Sequence, residues 1–207
     1  MDTPFLQLML EHAGISVSAI GGVLAARGKR IDLFGVIVLA LVTAFGGGTV
    51  RDLLVGDLPV VWLRTSDYLL NATLTALATF LLVRLRHPPR MALLVADAFA
   101  LALFTMIGTR KGVSLHLSLP VAVLLGVVTG VAGGILRDVL TGEVPLVFQP
   151  QIHLYATAAL GGAAAFVTLV GAGVSDGKAT LAGAVFILSL RLAGIRWKIS
   201  LPILESR

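Results

Sequence analysis

The sequence contains no cysteine, so disulfide frameworks, thiolate metal sites and cysteine nucleophiles are excluded at the outset. Charge is scarce as well. Asp, Glu, Lys and Arg make up 13% of the 207 residues, against about 25% in an ordinary soluble domain, which leaves too few polar groups to cover a water-facing surface. The stretch from Met1 to Glu11 lacks Lys and Arg and carries Asp2 and Glu11. A secretory leader needs a basic start before its apolar stretch, so the first apolar segment is expected to stay as a span. His12, His87, His116 and His153 show no metal-ligand spacing, and no Ser/His/Asp constellation is visible. No cofactor, metal or enzyme activity is expected.

What fills the chain is apolar residue, 57% of it, with a mean hydropathy of +0.97. Apolar stretches run over about 5–26, 33–50, 68–83, 91–107, 117–136, 154–170 and 179–192. A span takes roughly 20 residues, so the expected fold is an all-α integral membrane protein with seven transmembrane helices and no soluble domain. Several stretches fall short of an ideal span, which predicts tilted or broken helices.

The net charge of +5 could suggest a nucleic-acid partner, but the bases cluster between apolar segments. Arg27, Lys29 and Arg30 form one cluster, Arg84, Arg86 and Arg90 a second, and Arg191, Arg196, Lys198 and Arg207 a third. Such clusters mark cytoplasmic loops, so no nucleic acid is expected and membrane lipid is the surrounding partner. With the N-terminus outside, these ten and Arg137 fall on the inner side. Arg51, Arg64, Arg110, Lys111 and Lys178 fall outside. The excess predicts an N-out, C-in topology.

The strongest signal is self-similarity. Residues 43–60 read TAFGGGTVRDLLVGDLPV and residues 129–146 read TGVAGGILRDVLTGEVPL, 86 positions apart without a gap. Thr43/Thr129, Gly47/Gly133, Gly48/Gly134, Arg51/Arg137, Asp52/Asp138, Leu54/Leu140, Gly56/Gly142 and Pro59/Pro145 are identical. The same offset pairs Glu11 with Asp97 and Gly22 with Gly108. Two three-span repeats follow, over about 5–85 and 91–171, with a seventh helix over about 179–195 left for packing or assembly. An odd number of spans per repeat makes the second enter the bilayer from the opposite side. Inverted repeats of this kind place an ion or substrate path near the midplane, at corresponding broken helices.

Within the second and fifth spans, Gly46, Gly47 and Gly48 and then Gly133 and Gly134 each weaken a helix by up to about 1 kcal/mol relative to alanine. Two readings stand side by side: unwound turns with freed carbonyls lining a path, or close helix packing. Arg51-Asp52 and Arg137-Asp138 follow. Neighbours on a helix point about 100° apart, so their ion partners are expected on other helices. Asp97 is a candidate pore-facing carboxylate inside a span, with Glu11 in the matching place. Thr43, Thr129, Ser16, Ser18 and Thr105 could line the same path or bond back to their own helices. Lys111, with Arg110, places positive charge at the outer mouth or snorkels to the interface.

With these residues in view, the sequence resembles the prokaryotic members of the trimeric intracellular cation channel (TRIC) family, which overlaps the bacterial family long labelled a glycine transporter domain. The resemblance rests on Gly46-Gly47-Gly48-Thr49-Val50-Arg51-Asp52, Gly133-Gly134-Ile135-Leu136-Arg137-Asp138, the Gly-x-x-Pro turn after each, and Asp97-Ala98-Phe99-Ala100-Leu101. It implies a homotrimer with a pore in each subunit, shaped by kinked second and fifth helices. It also implies potassium and sodium as permeant ions, in the inner (plasma) membrane of a bacterium or archaeon, with no soluble partner. The second repeat departs from the first in carrying Ala132 where the first has Gly46. A secondary transporter of a small solute such as glycine is the alternative, since broken helices serve either; a non-conducting assembly protein is a third reading.

Overall fold

A computed structural model describes residues 3–86, 88–89, 91–149 and 154–197. Arg90, Lys198, Arg207, His87 and His153, used in the charge and motif readings, lie outside these residues. The described chain is all-helical: α1 (Thr3–Ala25), α2 (Leu33–Val55), a single turn α3 (Val61–Arg64), α4 (Ser66–Arg86), α5 (Met91–Ser114), α6 (Leu119–Leu140), a short 3-10 turn (Leu146–Phe148), α7 (Tyr155–Gly171) and α8 (Asp176–Trp197). Among the described residues six helices are long and apolar enough to cross a membrane, and α7 is a shorter apolar helix of 17 residues, at the low end of spanning length.

The helices outrun the apolar stretches that announce them. Five residues beyond position 50, α2 ends at Val55, and α5 continues to Ser114 past Thr109, Arg110 and Lys111. Burial of Arg51, Asp52 and Thr109 inside the bundle explains the difference, because polar residues that find partners can extend a span that hydropathy alone cuts short. The expectation of broken helices is also not met. Both α2 and α6 run unbroken through their glycines, with helical assignment at every residue from 33 to 55 and from 119 to 140, so no stretch of either is unwound.

Local chemistry sets the ends. Asp32 caps α2 by accepting the Gly35 N–H at 2.8 Å. The turns after α2 and α6 place Gly56 and Gly142 at φ of 69° and 72°, a left-handed backbone that glycine alone adopts without cost.

In packing, α5 touches α1, α6, α7 and α8, while α2 lies against α1, α4 and α6. Small residues let the helices close up: Ala19, Ala40, Ala72, Ala76, Ala98, Ala122, Ala158, Ala159 and Ala163 are all buried. The outer surface is the reverse of a soluble protein's, with Phe34, Leu54, Leu81, Leu82 and Leu85 exposed. An apolar surface of this kind suits acyl chains, not water.

Two groups of loops form at opposite ends of the bundle. Arg27 donates to the Pro88 carbonyl and Lys29 pairs with Glu143, joining the loops that follow α1, α4 and α6. At the other end Arg110 holds Asp176 at 2.6 Å, and Lys111 and Arg64 both reach Asp57.

Asp57 supplies a pH test of that second end. The Lys111 ammonium and then the Arg64 guanidinium hold its carboxyl down at about 2. A lowered carboxylate stabilises the fold above its ordinary value near 4, and that contribution fades as pH falls from about 4 toward 2. Asp57→Asn is therefore expected to lower the melting temperature at pH 7 and to lower it progressively less as pH drops through this window. A melting-temperature gap that stays constant from pH 7 to pH 2.5 would show that the pairs contribute nothing to the loop.

Candidate functional site

The two copies of the glycine motif meet at the crossing of α2 and α6. A β-carbon on Gly47 would lie 2.1 Å from the Thr129 carbonyl oxygen, and one on Gly133 would lie 2.4 Å from the Thr43 carbonyl oxygen. The partners are exchanged between positions 86 apart, so the helices touch backbone to backbone through equivalent residues. The same threonines receive two further glycines: a β-carbon on Gly22 would sit 2.9 Å from Thr43 Oγ1, and one on Gly108 would sit 2.4 Å from Thr129 Oγ1. These glycines serve close approach, the packing reading of the pattern. Gly46 is also closely approached, but by a side chain, its β-carbon position 2.7 Å from Leu136 Cδ1.

A small cavity of about 10 Å³ lies beside this crossing, walled by Ser18, Gly21, Thr43, Gly47, Asp97, Phe104, Thr129, Gly133, Gly134 and Arg137. Its size is about that of one water. Wider cavities flank it toward each end. One of about 560 Å³ is lined by Arg27, Lys29, Asp138, Thr141, Glu143 and Gln149 among others. The opposite one, about 340 Å³, is lined by Gln7, Glu11, Arg51, Arg110, Lys111 and Asp176 among others. The narrow cavity at the α2–α6 crossing, the waist, lies between the two wider ones.

Chemically the waist presents oxygen. Thr43 Oγ1 donates to the Leu39 carbonyl and Thr129 Oγ1 to the Leu125 carbonyl, each at 2.6 Å. A hydroxyl that spends its proton on its own helix keeps its lone pairs for other partners. Asp97 adds a carboxylate that is 4% exposed.

The charged residues pair in ways the sequence reading did not foresee. Arg51 Nε donates to Asp52 Oδ1 at 2.8 Å, and Arg137 Nε donates to Asp138 Oδ1 at 2.7 Å. Neighbours do pair here, against expectation, because the long arginine stem folds back over its own helix and makes good the 100° between the side-chain directions. The other oxygen of each aspartate accepts a backbone N–H from the returning loop, Val61 N–H at 3.0 Å and Leu146 N–H at 2.9 Å. Asp52 and Asp138 thus anchor loops.

Arg137 also has the distant partner that was expected. Its Nη1 donates to Asp97 Oδ1 at 3.0 Å, and Arg191 Nη2 stands 3.7 Å from Asp97 Oδ2. Arg191 was placed with the cytoplasmic bases; it is instead fully buried, with its guanidinium 4.5 Å above the Tyr155 ring. The seventh span therefore contributes a buried charge to the bundle. Removing Arg191 and Arg137 from the inner count and Arg51 from the outer leaves the charge bias in the same direction. In repeat one, Glu11 occupies the place of Asp97, but its carboxylate is held by the Tyr68 hydroxyl and by Gln7 Nε2 at 3.0 Å. The signal for Arg191 was in the sequence: it lies inside the last apolar stretch, before the Arg196 that closes α8.

Of the remaining candidates, Gly134 borders the charged cluster, its β-carbon position 3.2 Å from Tyr155 Oη and 3.3 Å from Asp97 Oδ1. Gly48 borders Arg51. Ser18 lines the waist. Ser16 does not; it bonds Asn71 Oδ1 at 2.8 Å and the His12 carbonyl at 2.9 Å. Thr105 is buried where α5 meets Gly130 of α6, and Lys111 stands at the mouth bound to Asp57.

A family model described as "Glycine transporter" matches the chain twice, at residues 8–84 and 94–170. The two stretches carry the 86-residue spacing of the glycine motifs. Relatives include a UPF0126 membrane protein of Vibrio cholerae, 43% identical over 98% of this chain and 84% of its own length. The UPF0126 inner membrane protein YadS of Escherichia coli K12 is also 43% identical, over 93% of each chain. A solved structure of the TRIC trimeric intracellular cation channel orthologue from Rhodobacter sphaeroides matches with 36% identity and a TM-score of 0.89, covering 94% of this chain and 99% of that one. The chain belongs to the TRIC family. It is a multi-pass membrane protein, and its membership argues against an enzyme. Within the TRIC fold, the glycine crossing occupies the interface between the two repeats, whereas Arg191 of the last helix meets Asp97 and Tyr155 of the second repeat.

Proposed function

We propose that this TRIC-family chain forms a cation channel that conducts monovalent ions, potassium above sodium, with one pore in each subunit of a homotrimer. The observation that carries the reading is the oxygen-lined waist at the α2–α6 crossing, flanked by a wider polar cavity toward each end. The likeness to the Rhodobacter sphaeroides channel supports both conduction and trimeric assembly. The exchange of partners between Gly47–Thr129 and Gly133–Thr43 is the contact pattern expected of two repeats related by a two-fold axis, and so supports inverted topology. N-out, C-in orientation follows from the basic loops, and an inner-membrane location from the bacterial relatives.

Selectivity is modest on this reading. With α2 and α6 unbroken, the ion meets hydroxyl and carboxylate oxygens and not a ring of bare carbonyls. Asp97 brings a carboxylate to the waist, and Arg137 and Arg191 offset its charge. Opening requires these groups to give way, because a waist of about one water excludes a hydrated ion.

Planar-bilayer recording of the purified protein across a potassium chloride gradient tests the proposal. The expected result is unitary current reversing near the potassium equilibrium potential, with the reversal moved toward zero in Asp97→Asn. Glycine uptake without current would overturn it in favour of a carrier, the activity that the family description names. Currents whose reversal is the same in Asp97→Asn would keep the channel and remove Asp97 from its path.

A further inference from the structure

We propose that Glu11 is the seat of one monovalent cation, in the cavity of about 340 Å³ at the end of the bundle where α5 closes. Gln7, Glu11 and Ser114 bring oxygen to its lining, and Val61, Ile107 and Val113 give it apolar walls.

The two repeats differ at this point. In repeat two, Asp97 has cationic partners from the protein itself, Arg137 Nη1 at 3.0 Å and Arg191 Nη2 at 3.7 Å. Glu11 holds the matching place in repeat one and is 8% exposed, yet its partners are neutral: the Tyr68 hydroxyl, and Gln7 Nε2 at 3.0 Å. Arg51, the counterpart of Arg137, turns Nε and Nη2 to Asp52 at 2.8 Å and 2.7 Å. Arg191 belongs to α8, which follows both repeats and has no counterpart in the first. Among the described residues no base forms an ion pair with Glu11.

The other charges on the lining are matched. Arg51 holds Asp52, Arg110 holds Asp176 at 2.6 Å, and Lys111 holds Asp57. Glu11 is thus the lining carboxylate left without a counter-charge. A buried carboxylate in that position is costly unless it takes up a proton or a cation. The cavity has room for a partly hydrated ion, since a water occupies about 30 Å³. Tyr68 and Gln7 both donate to Glu11, so Tyr68 Oη and Gln7 Oε1 keep lone pairs for an ion. One carboxylate with neutral oxygens suits a single positive charge. Calcium draws on about six to eight oxygens, carboxylates prominent among them.

What the seat does rests on the channel reading: it would stage an ion beside the waist, because one unmatched charge between apolar walls raises the local concentration of its counter-ion. Occupancy itself does not depend on conduction.

Thallium(I), an electron-rich stand-in for potassium, tests occupancy. Crystals of the purified protein grown with a thallium salt should show an anomalous peak beside the Glu11 carboxylate. Glu11→Gln, which keeps the side-chain shape, should lose the peak, and Tyr68→Phe, which keeps the carboxylate, should retain it. Bilayer recording tests the role. Conductance of Glu11→Gln should fall roughly tenfold in dilute potassium chloride and match the wild type in concentrated salt, where the solution itself supplies the ion. Thallium bound elsewhere in the bundle but not beside Glu11 would overturn the seat. So would a protonated-carboxyl infrared band at neutral pH that Glu11→Gln abolishes, since that assigns the charge to a proton. Equal conductance of the variant and the wild type in dilute salt, or an equal fall at both concentrations, would overturn its role in supplying ions. A thallium peak beside Glu11 in a protein that passes no current would keep the seat and sink the channel reading alone.

Discussion

Arg137→Ala is expected to destabilise the protein by about 3–5 kcal/mol, the usual loss when one partner of a buried ion pair is removed. Two carboxylates depend on that guanidinium: Asp138 through Nε at 2.7 Å and Asp97 through Nη1 at 3.0 Å. Both are buried, so each would keep its charge in a medium that solvates it poorly. Arg51 is the internal control. It occupies the equivalent position in repeat one and is 4% exposed, yet among the described residues it is ion-paired to Asp52 alone, with Nη2 at 2.7 Å. Arg51→Ala should therefore cost clearly less than Arg137→Ala. Lysine at 137 should recover only part of the loss, since an ammonium cannot spread its donors over two separated carboxylates as a guanidinium fork does. Thermal unfolding in detergent is the measurement. Equal losses below about 1 kcal/mol in both alanine variants, the level of exposed pairs, would mean that water reaches these pairs and that the buried cluster is misassigned.

The asymmetry between Arg137 and Arg51 marks where sequence reading reaches its limit. Six of the seven expected spans and the 86-residue repeat were legible, because each is written in local periodicity or in identity at a fixed offset. Charge pairing was not. The rule that helix neighbours diverge by about 100° concerns the first side-chain bond, whereas an arginine carries its charge several bonds further out and can return to Asp52 or Asp138. Arg191 was counted with the surface bases because hydropathy cannot tell a charge at the end of a span from one turned into the bundle. Packing of α8 against α5 and α7 decides that; the place of Arg191 inside the last apolar stretch raises the question without answering it. The glycines were ambiguous for a related reason. Unwinding and close packing call for the same residue, and only the position of the opposing backbone separates them.

That separation yields the second large prediction. Glycine to alanine in the middle of a helix ordinarily gains up to about 1 kcal/mol from backbone entropy. At Gly48 the gain should appear, since the nearest atom to an added β-carbon is Arg51 Nη2 at 3.8 Å, an ordinary contact. At Gly47 and Gly133 the sign should reverse. The added carbon would meet the opposing carbonyl oxygen at 2.1 Å and 2.4 Å, and backbone cannot swing aside as a side chain can. The helices must part, with a net loss of about 1–3 kcal/mol typical of overpacking. Gly47→Ala and Gly133→Ala wedge the same crossing from its two sides, so the double variant should lose less than the sum of the singles. Parting α2 from α6 also moves Thr43 and Thr129, whose hydroxyls line the waist, so each single variant should change the unitary conductance while Gly48→Ala keeps the wild-type value. Wild-type stability in Gly47→Ala would refute the close crossing. Lowered stability with unchanged conductance would keep the crossing and assign it to packing alone, with the ion path elsewhere in the bundle.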